Sequence, residues 1–443
     1  MNITARLARF IADTRFDDLP AGVVHEAKRS FLDFLATALA GADHPAVGAT
    51  LALIAHWGGT PEATVVGRHK RAPAPLAALA NGLMAHVLDY DDTHMPSMLH
   101  AASVVVPAVA GAGEPRRIDG RSALLACALG YEVGVRIGNA ITGSHARRGW
   151  HTTGTVGTLA AAVAAGKVVG LDAGGLARAL ALAATQASGL IAVFGTMGKS
   201  LNVGKAAMNG VLAADLARAG FTAPLDAVES ERGFVRVFTD ETSMEELTTE
   251  LGVRWESARI GRKPYPCGLV IHPVIDGALE IRRMLHGQVS GIEHVAVRVN
   301  PYVLYLAGKA EPATGLESKF SVFHGAAVAL LDGAADVPQF TDERVADPAL
   351  VALRRHIQVT GDEAVRTDEA WLRAQCTDGR SIEHHVAHAS GTIDNPMSDT
   401  ELAAKLERAA ATRLPSARVR RLLAAVSSLD GDSSLSGLLR LCA

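Results

Sequence analysis

The chain has 443 residues, enough for two or three domains of roughly 150 residues. Hydrophobic residues make up 49% and charged residues 20%, a globular composition that excludes a disordered or fibrous chain. Forty-three basic residues against 46 acidic ones, with only 5% aromatics, exclude the basic footprint and stacking platforms of a nucleic-acid binder. The four cysteines (Cys127, Cys267, Cys376, Cys442) are dispersed and form no CxxC pair, as expected of a reduced cytoplasmic protein. Residues 1–20 contain no continuous apolar run of signal-peptide type. The apolar stretches 101–113 and 156–166 are shorter than the roughly 20 residues of a membrane span, so no membrane association is expected.

From residue 21 the text is Ala-rich with helical periodicity. Val23, Val24, Ala27, Phe31, Phe34, Leu35 and Leu39 recur on one face, and Gly41 is placed to close the helix. Helices are predicted at 75–88, 120–142, 154–169, 174–188 and 205–219, with no convincing strand among them. The pattern changes at 293–300, where Val295, Val297 and Val299 alternate as in a strand. Strands at 370–376 and 381–389 flank Thr377-Asp378-Gly379, a hairpin signal, and helices are predicted at 273–285 and 323–332. Ser398-Asp-Thr-Glu401 is a capping-box pattern that restarts helical text. The expected fold is mainly α: a large all-helical domain (1–258 and 396–443) with a smaller α+β domain (259–395).

Familiar cofactor motifs fail. Gly198-Lys199-Ser200 resembles the end of a phosphate loop, but Val193 stands where the first glycine belongs. Neither G-x-G-x-x-G after a strand nor a G-x-S-x-G elbow occurs. His384 and His388 share a strand face from which His385 points away, which favours a solvated or dimer-facing strand over a metal site. No metal and no cofactor are expected.

Three segments are polar amid apolar surroundings. The first, His86 to His94 followed by His100, gathers three carboxylates, a hydroxyl and imidazoles at a helix end, where a capping cluster is the bland alternative. The second places His151 at the start of an Ala-rich helix, beside a position suited to anions. The third is a Gly-rich segment, 195–205, expected as a loop presenting Lys199 and Lys205, with Lys199 the ligand contact. Acid–base groups and cations without a nucleophile apparatus suit proton transfer beside a carboxylate, the cations neutralising substrate and enolate charge.

The chain resembles the MmgE/PrpD family in HVLDYDDTH (86–94), GWHTTGTVGT (149–158), GKSLNVGKAAMNG (198–210), RKPYPCGLVIHPVIDG (262–277), ESKFSVFHGAAVAL (317–330) and DNPMSDTEL (394–402). The resemblance implies a helical domain plus an α+β domain, an active site between them and a homodimer. It implies catalytic roles for Asp89, His100, His151 and Lys263, and substrate contacts for Thr93, Lys199 and His324. The spacing to His100 is one residue longer than the family pattern. His324 stands where the family often has Tyr, so it would offer an additional base.

The family's activities include 2-methylcitrate dehydration, cis-aconitate decarboxylation and iminodisuccinate epimerisation, all on small di- or tricarboxylates. The compact chain and His324, an imidazole able to act near neutral pH, favour iminodisuccinate epimerisation as the first expectation. The dehydratase and decarboxylase are the alternatives. A non-catalytic interaction module of the same fold is the alternative of another class, disfavoured by the presence of His151 and both lysines.

Overall fold

A computed structural model describes residues 3–141, 143–431 and 433–442. These residues form two compact units. One is drawn from Met1–Val87, Asp91–Ile260 and Ser398–Ala443, the other from Leu88–Tyr90 and Gly261–Met397.

The first unit is a set of closely packed helices. Ala74–His86, Ala102–Gly113, Thr152–Val168 and Gly198–Arg218 pack on one another. Their shared face is built from Ala78, Ala108, Ala161, Ala165, Ala207 and Ala214. Such small side chains let helix backbones approach closely, and alanine gives up little side-chain entropy in doing so. The glycines serve the same end: a Cβ at Gly204 would strike the Leu79 carbonyl oxygen, and one at Gly210 would strike Ala161. The segment expected as a loop with lysines is therefore helical from Gly198 onward, where Gly204 is a packing position rather than a turn, and only Gly195, at φ +78°, turns the chain ahead of the helix. Gly41 likewise ends its helix (Ala21–Gly41) against the Met84 carbonyl rather than in a left-handed cap.

Further differences from expectation are local. The helical half contains a small antiparallel hairpin, β1 (Ala63–Val65) with β2 (Lys70–Ala72), too short for an alternating pattern to register. The helix predicted at 120–142 runs Gly120–Ile141, and Thr142 lies outside the described residues. At 22 residues it has the length and apolarity of a membrane span, but nearly all of it is buried inside the helical unit. Its Glu132–Arg136 pair is fully buried, with Arg136 also donating to the carbonyls of Glu246, Thr249 and Arg254.

The C-terminal segment returns to this unit. Ser398 and Glu401 form the capping box of the helix Asp399–Ala410. From that helix, Lys405 donates to Asp33 of Ala21–Gly41 at 2.7 Å, both side chains fully buried.

The second unit holds a four-stranded sheet: β3 (Ile292–Val299), β4 (Ile357–Gly361), β5 (Ala370–Cys376) and β6 (Ser381–Val386), in the order β4-β3-β5-β6. β3 pairs parallel with β4 and antiparallel with β5. β5 and β6 form the expected hairpin, with Gly379 at φ +87° in its turn. Val295, Val297, Val299, Leu372 and Ala374 bury one face in a core shared with the helices His272–Met284 and Val322–Asp332.

Candidate active site

In the helical unit three imidazoles converge. His86 ends the helix Ala74–His86, His100 lies two residues before Ala102–Gly113, and His151 is the N-cap of Thr152–Val168. Their ring centroids lie 4.7 Å (His86–His100), 5.8 Å (His86–His151) and 6.5 Å (His100–His151) apart. All three are buried.

Hydrogen bonds assign the tautomers. His86 Nδ1 lies 2.8 Å from Asp91 Oδ2, so it carries the hydrogen and donates. His100 Nδ1 donates to the Asp92 carbonyl at 2.7 Å, with Thr93 Oγ1 at 3.1 Å, while its backbone N–H donates to Thr153 Oγ1. At His151 the sense reverses: the Asn202 amide donates to Nδ1 at 3.3 Å. Neutral His151 thus carries its hydrogen on Nε2, whereas His86 and His100 keep lone pairs there. The cluster offers a proton donor beside proton acceptors.

Asp92 holds the backbone of this region. Both its carboxylate oxygens accept from Ala102 N–H, Tyr131 OH donates to it at 2.8 Å, and its own N–H donates to Asp33. Burial, reinforced by the negative charges of Asp33 and Asp91, raises its pKa to about 8. His94 belongs to a separate turn, bonded to Ser97 Oγ and 3.7 Å from Glu256.

Lys199 lies one helical turn before Asn202 in Gly198–Arg218. Its Nζ lies 5.1 Å from the Phe194 ring centroid, and the same ring meets His151 edge-on at 5.0 Å. The Phe194 ring is thus shared by the ammonium and the imidazole. Lys205 instead donates to the Ser188 carbonyl, and burial lowers its pKa.

In the second unit, Lys263 Nζ donates to both the carboxylate (2.9 Å) and the carbonyl (3.1 Å) of Asp89, and both side chains are almost fully buried. Asp89 adopts left-handed backbone, φ +53°, a conformation tolerated better by Asp than by most side chains. Around this pair burial raises the Cys267 thiol to about 12 and, with the nearby Lys263 charge, lowers His272 to about 3.

His324 requires a correction. It is fully buried, packed edge-on against Phe340, with Nε2 on the Gln339 carbonyl (2.8 Å) and Nδ1 on Arg354 (3.1 Å). Burial lowers its pKa to about 4. Both nitrogens are committed to the fold, so the expected substrate contact and additional base are withdrawn. The strand histidines also separate. His385 stacks on Trp371 and bonds Glu369, whereas His388 lies beyond β6 and bonds Asp368.

Sequence reasoning selected His100, His151, Lys199, Asp89, Thr93 and Lys263, gathered His86 and Asp91 into the same polar segment without giving them a role, and passed over Asn202. The His-to-Asp spacing at a helix end was the available signal for His86 and Asp91. Nothing local marks Asn202 as a partner of His151.

Groups with metal-ligand proximity among the described residues include His86, His100 and His151 in the helical unit and the more exposed Asp368, His388 and Asp394 in the second unit. The first fits a metal poorly. His151 Nε2 would have to lose its hydrogen to Nδ1, which breaks the bond from Asn202.

Residues 5–247 match the MmgE/PrpD N-terminal domain, and residues 265–431 match the MmgE/PrpD C-terminal domain. The chain belongs to the MmgE/PrpD family. A cis-aconitate decarboxylase of Aspergillus terreus is 30% identical to this MmgE/PrpD chain, covering 99% of it and 95% of the relative. Cis-aconitate decarboxylases of Mus musculus and Homo sapiens are each 27% identical, over 99% and 97% of this chain and 93% and 92% of their own lengths. The mainly helical fold with a smaller α+β unit is the architecture the resemblance implied.

Proposed function

We propose that this chain is a cofactor-independent lyase that removes CO2 from an unsaturated tricarboxylate of the cis-aconitate type. The observation that carries the reading is its near end-to-end likeness to decarboxylases acting on that compound. The cluster chemistry supports it. When the saturated arm loses CO2, the carbon–carbon bond breaks and its electron pair forms a new terminal double bond. The original double bond shifts its electrons to the far carbon, which then takes one proton. Neutral His151, with hydrogen on Nε2, is the donor suited to this step. His100 accepts and returns protons, and Lys199 supplies charge for a remaining carboxylate.

Iminodisuccinate epimerisation, the first expectation from the sequence, leaned on the compact chain and on His324, and that side chain is spent on Gln339 and Arg354. The lyase alternative therefore takes precedence. The same reading takes the protein to work as a cytoplasmic homodimer, which mass photometry tests for its oligomeric part.

Incubation with cis-aconitate in deuterated water, followed by NMR and CO2 detection, decides the reaction. Decarboxylation releases one CO2 and adds one deuteron per product. Alkene formation from 2-methylcitrate without CO2 would assign a dehydratase. Deuterium exchange into iminodisuccinate without net loss would assign an epimerase.

A further inference from the structure

We propose that His86 and Asp91 are a positioning pair that holds the imidazole cluster in one protonation pattern and supplies the counter-charge when His100 takes up a proton. The inference rests on the reading that His100 and His151 handle the proton.

His86 is the last residue of a helix whose preceding turns are apolar: Ala77, Ala78, Leu79, Ala80, Leu83, Met84 and Ala85 are all buried. A buried imidazole and a fully buried carboxylate are costly in such surroundings unless mutually satisfied. The structure satisfies them together. Asp91 Oδ2 accepts from His86 Nδ1 at 2.8 Å and from Ser103 Oγ at 2.5 Å, which fixes both the carboxylate and the ring. The other oxygen, Oδ1, stands 3.7 Å from His100 Nδ1. One carboxylate therefore faces two imidazoles. The His86 and His100 rings meet at 63°, edge to face, so the orientation of one constrains the other. Carboxylate–imidazole pairs of this kind fix the tautomer and stabilise the imidazolium, and disrupting them impairs turnover more than binding.

The test uses Asp91→Asn, with the milder Ser103→Ala in case the first fails to fold, in protein labelled with 15N-histidine. In wild type, His86 and His100 should both show hydrogen on Nδ1 alone. In Asp91→Asn the His86 signal should move to mixed tautomers, and kcat on cis-aconitate should fall about 10- to 100-fold while KM stays within about threefold. Ser103→Ala should cause a smaller loss in the same direction. An unchanged tautomer pattern, or an unchanged kcat despite a changed pattern, overturns the proposal. If the wild-type protein releases no CO2 from cis-aconitate, the functional reading fails, and the tautomer pattern still decides whether the pair positions the ring.

Discussion

Asn202 donates its side-chain amide to Nδ1 of His151, and this bond decides which ring nitrogen of the N-cap histidine carries hydrogen. The residue that opens one helix is thereby tuned by a residue on another, 51 positions away. His151→Gln keeps a polar group of similar reach but cannot exchange a proton near neutral pH. It should lower kcat by about 10²–10⁴, the usual contribution of a positioned acid or base. Asn202→Ala leaves the imidazole in place with its tautomer released, so its loss should be smaller. Steady-state CO2 release measures both, and a His151→Gln enzyme with wild-type kcat would reduce His151 to a binding role.

The two lysines should respond differently to loss of charge. Lys199 leans on the Phe194 ring, so Lys199→Met should fold normally. Its kcat/KM should fall by about 10- to 150-fold, the equivalent of one charge-assisted contact. Lys263 is sealed against Asp89, and Lys263→Met leaves that carboxylate buried alone. A loss of about 3–5 kcal/mol in stability is expected, with partial recovery in the Lys263→Met, Asp89→Asn double variant. Denaturation midpoints of the three proteins check this. Equal midpoints would show that the pair is not a structural contact.

Acidity should act on stability with two opposing signs. His324 titrates at about 4 and His272 at about 3 in the folded protein, against an ordinary value near 6.5. Below pH 6.5 the unfolded chain binds more protons at both positions, so stability is lost as the pH falls towards 4. Asp92, raised to about 8, works in reverse. Between pH 4 and 8 the folded protein holds the extra proton, and stability falls as the pH rises. Each group contributes at most about 1.4 kcal/mol per pH unit, so the two histidines outweigh Asp92 below 6.5, and Asp92 prevails from there to 8. The urea midpoint should peak near pH 6.5, and Asp92→Asn should flatten the alkaline side. A midpoint that climbs steadily from pH 6.5 to 8 would contradict this account.

Dialysis against EDTA should leave activity intact. The three-imidazole cluster accepts a metal only by sacrificing the Asn202 bond, so elemental analysis of active protein should find less than one equivalent of any divalent ion. Activity restored only by added metal would reverse this expectation.

Sequence legibility followed how locally each feature is encoded. Val295, Val297 and Val299 announced β3 because one face is buried and the other partly open, so the chemistry alternates with the geometry. β4 left no such trace: of Ile357–Gly361 only Ile357 is buried, and its pairing is with a strand some 60 residues earlier. Gly204 was read as a loop residue because glycine serves turns and close helix contacts alike, and only the facing backbone distinguishes them. Among site residues, His100, His151 and Lys199 stood out as polar groups in apolar text. Asn202 and Asp91 acquire their meaning through partners that the folded chain brings to them.

Lys405 reaches Asp33 across 372 positions of chain. At a synthesis rate of about 5–20 residues per second, the partner of Asp33 emerges roughly 20–75 s after it. During that interval every residue of the α+β unit leaves the ribosome, while the earlier helices contain an acid whose counter-ion does not yet exist. Vectorial synthesis therefore lets the inserted unit mature first and reserves closure of the helical one for the end of translation. A ribosome stalled before Lys405 should carry a nascent chain whose first helices remain open to protease.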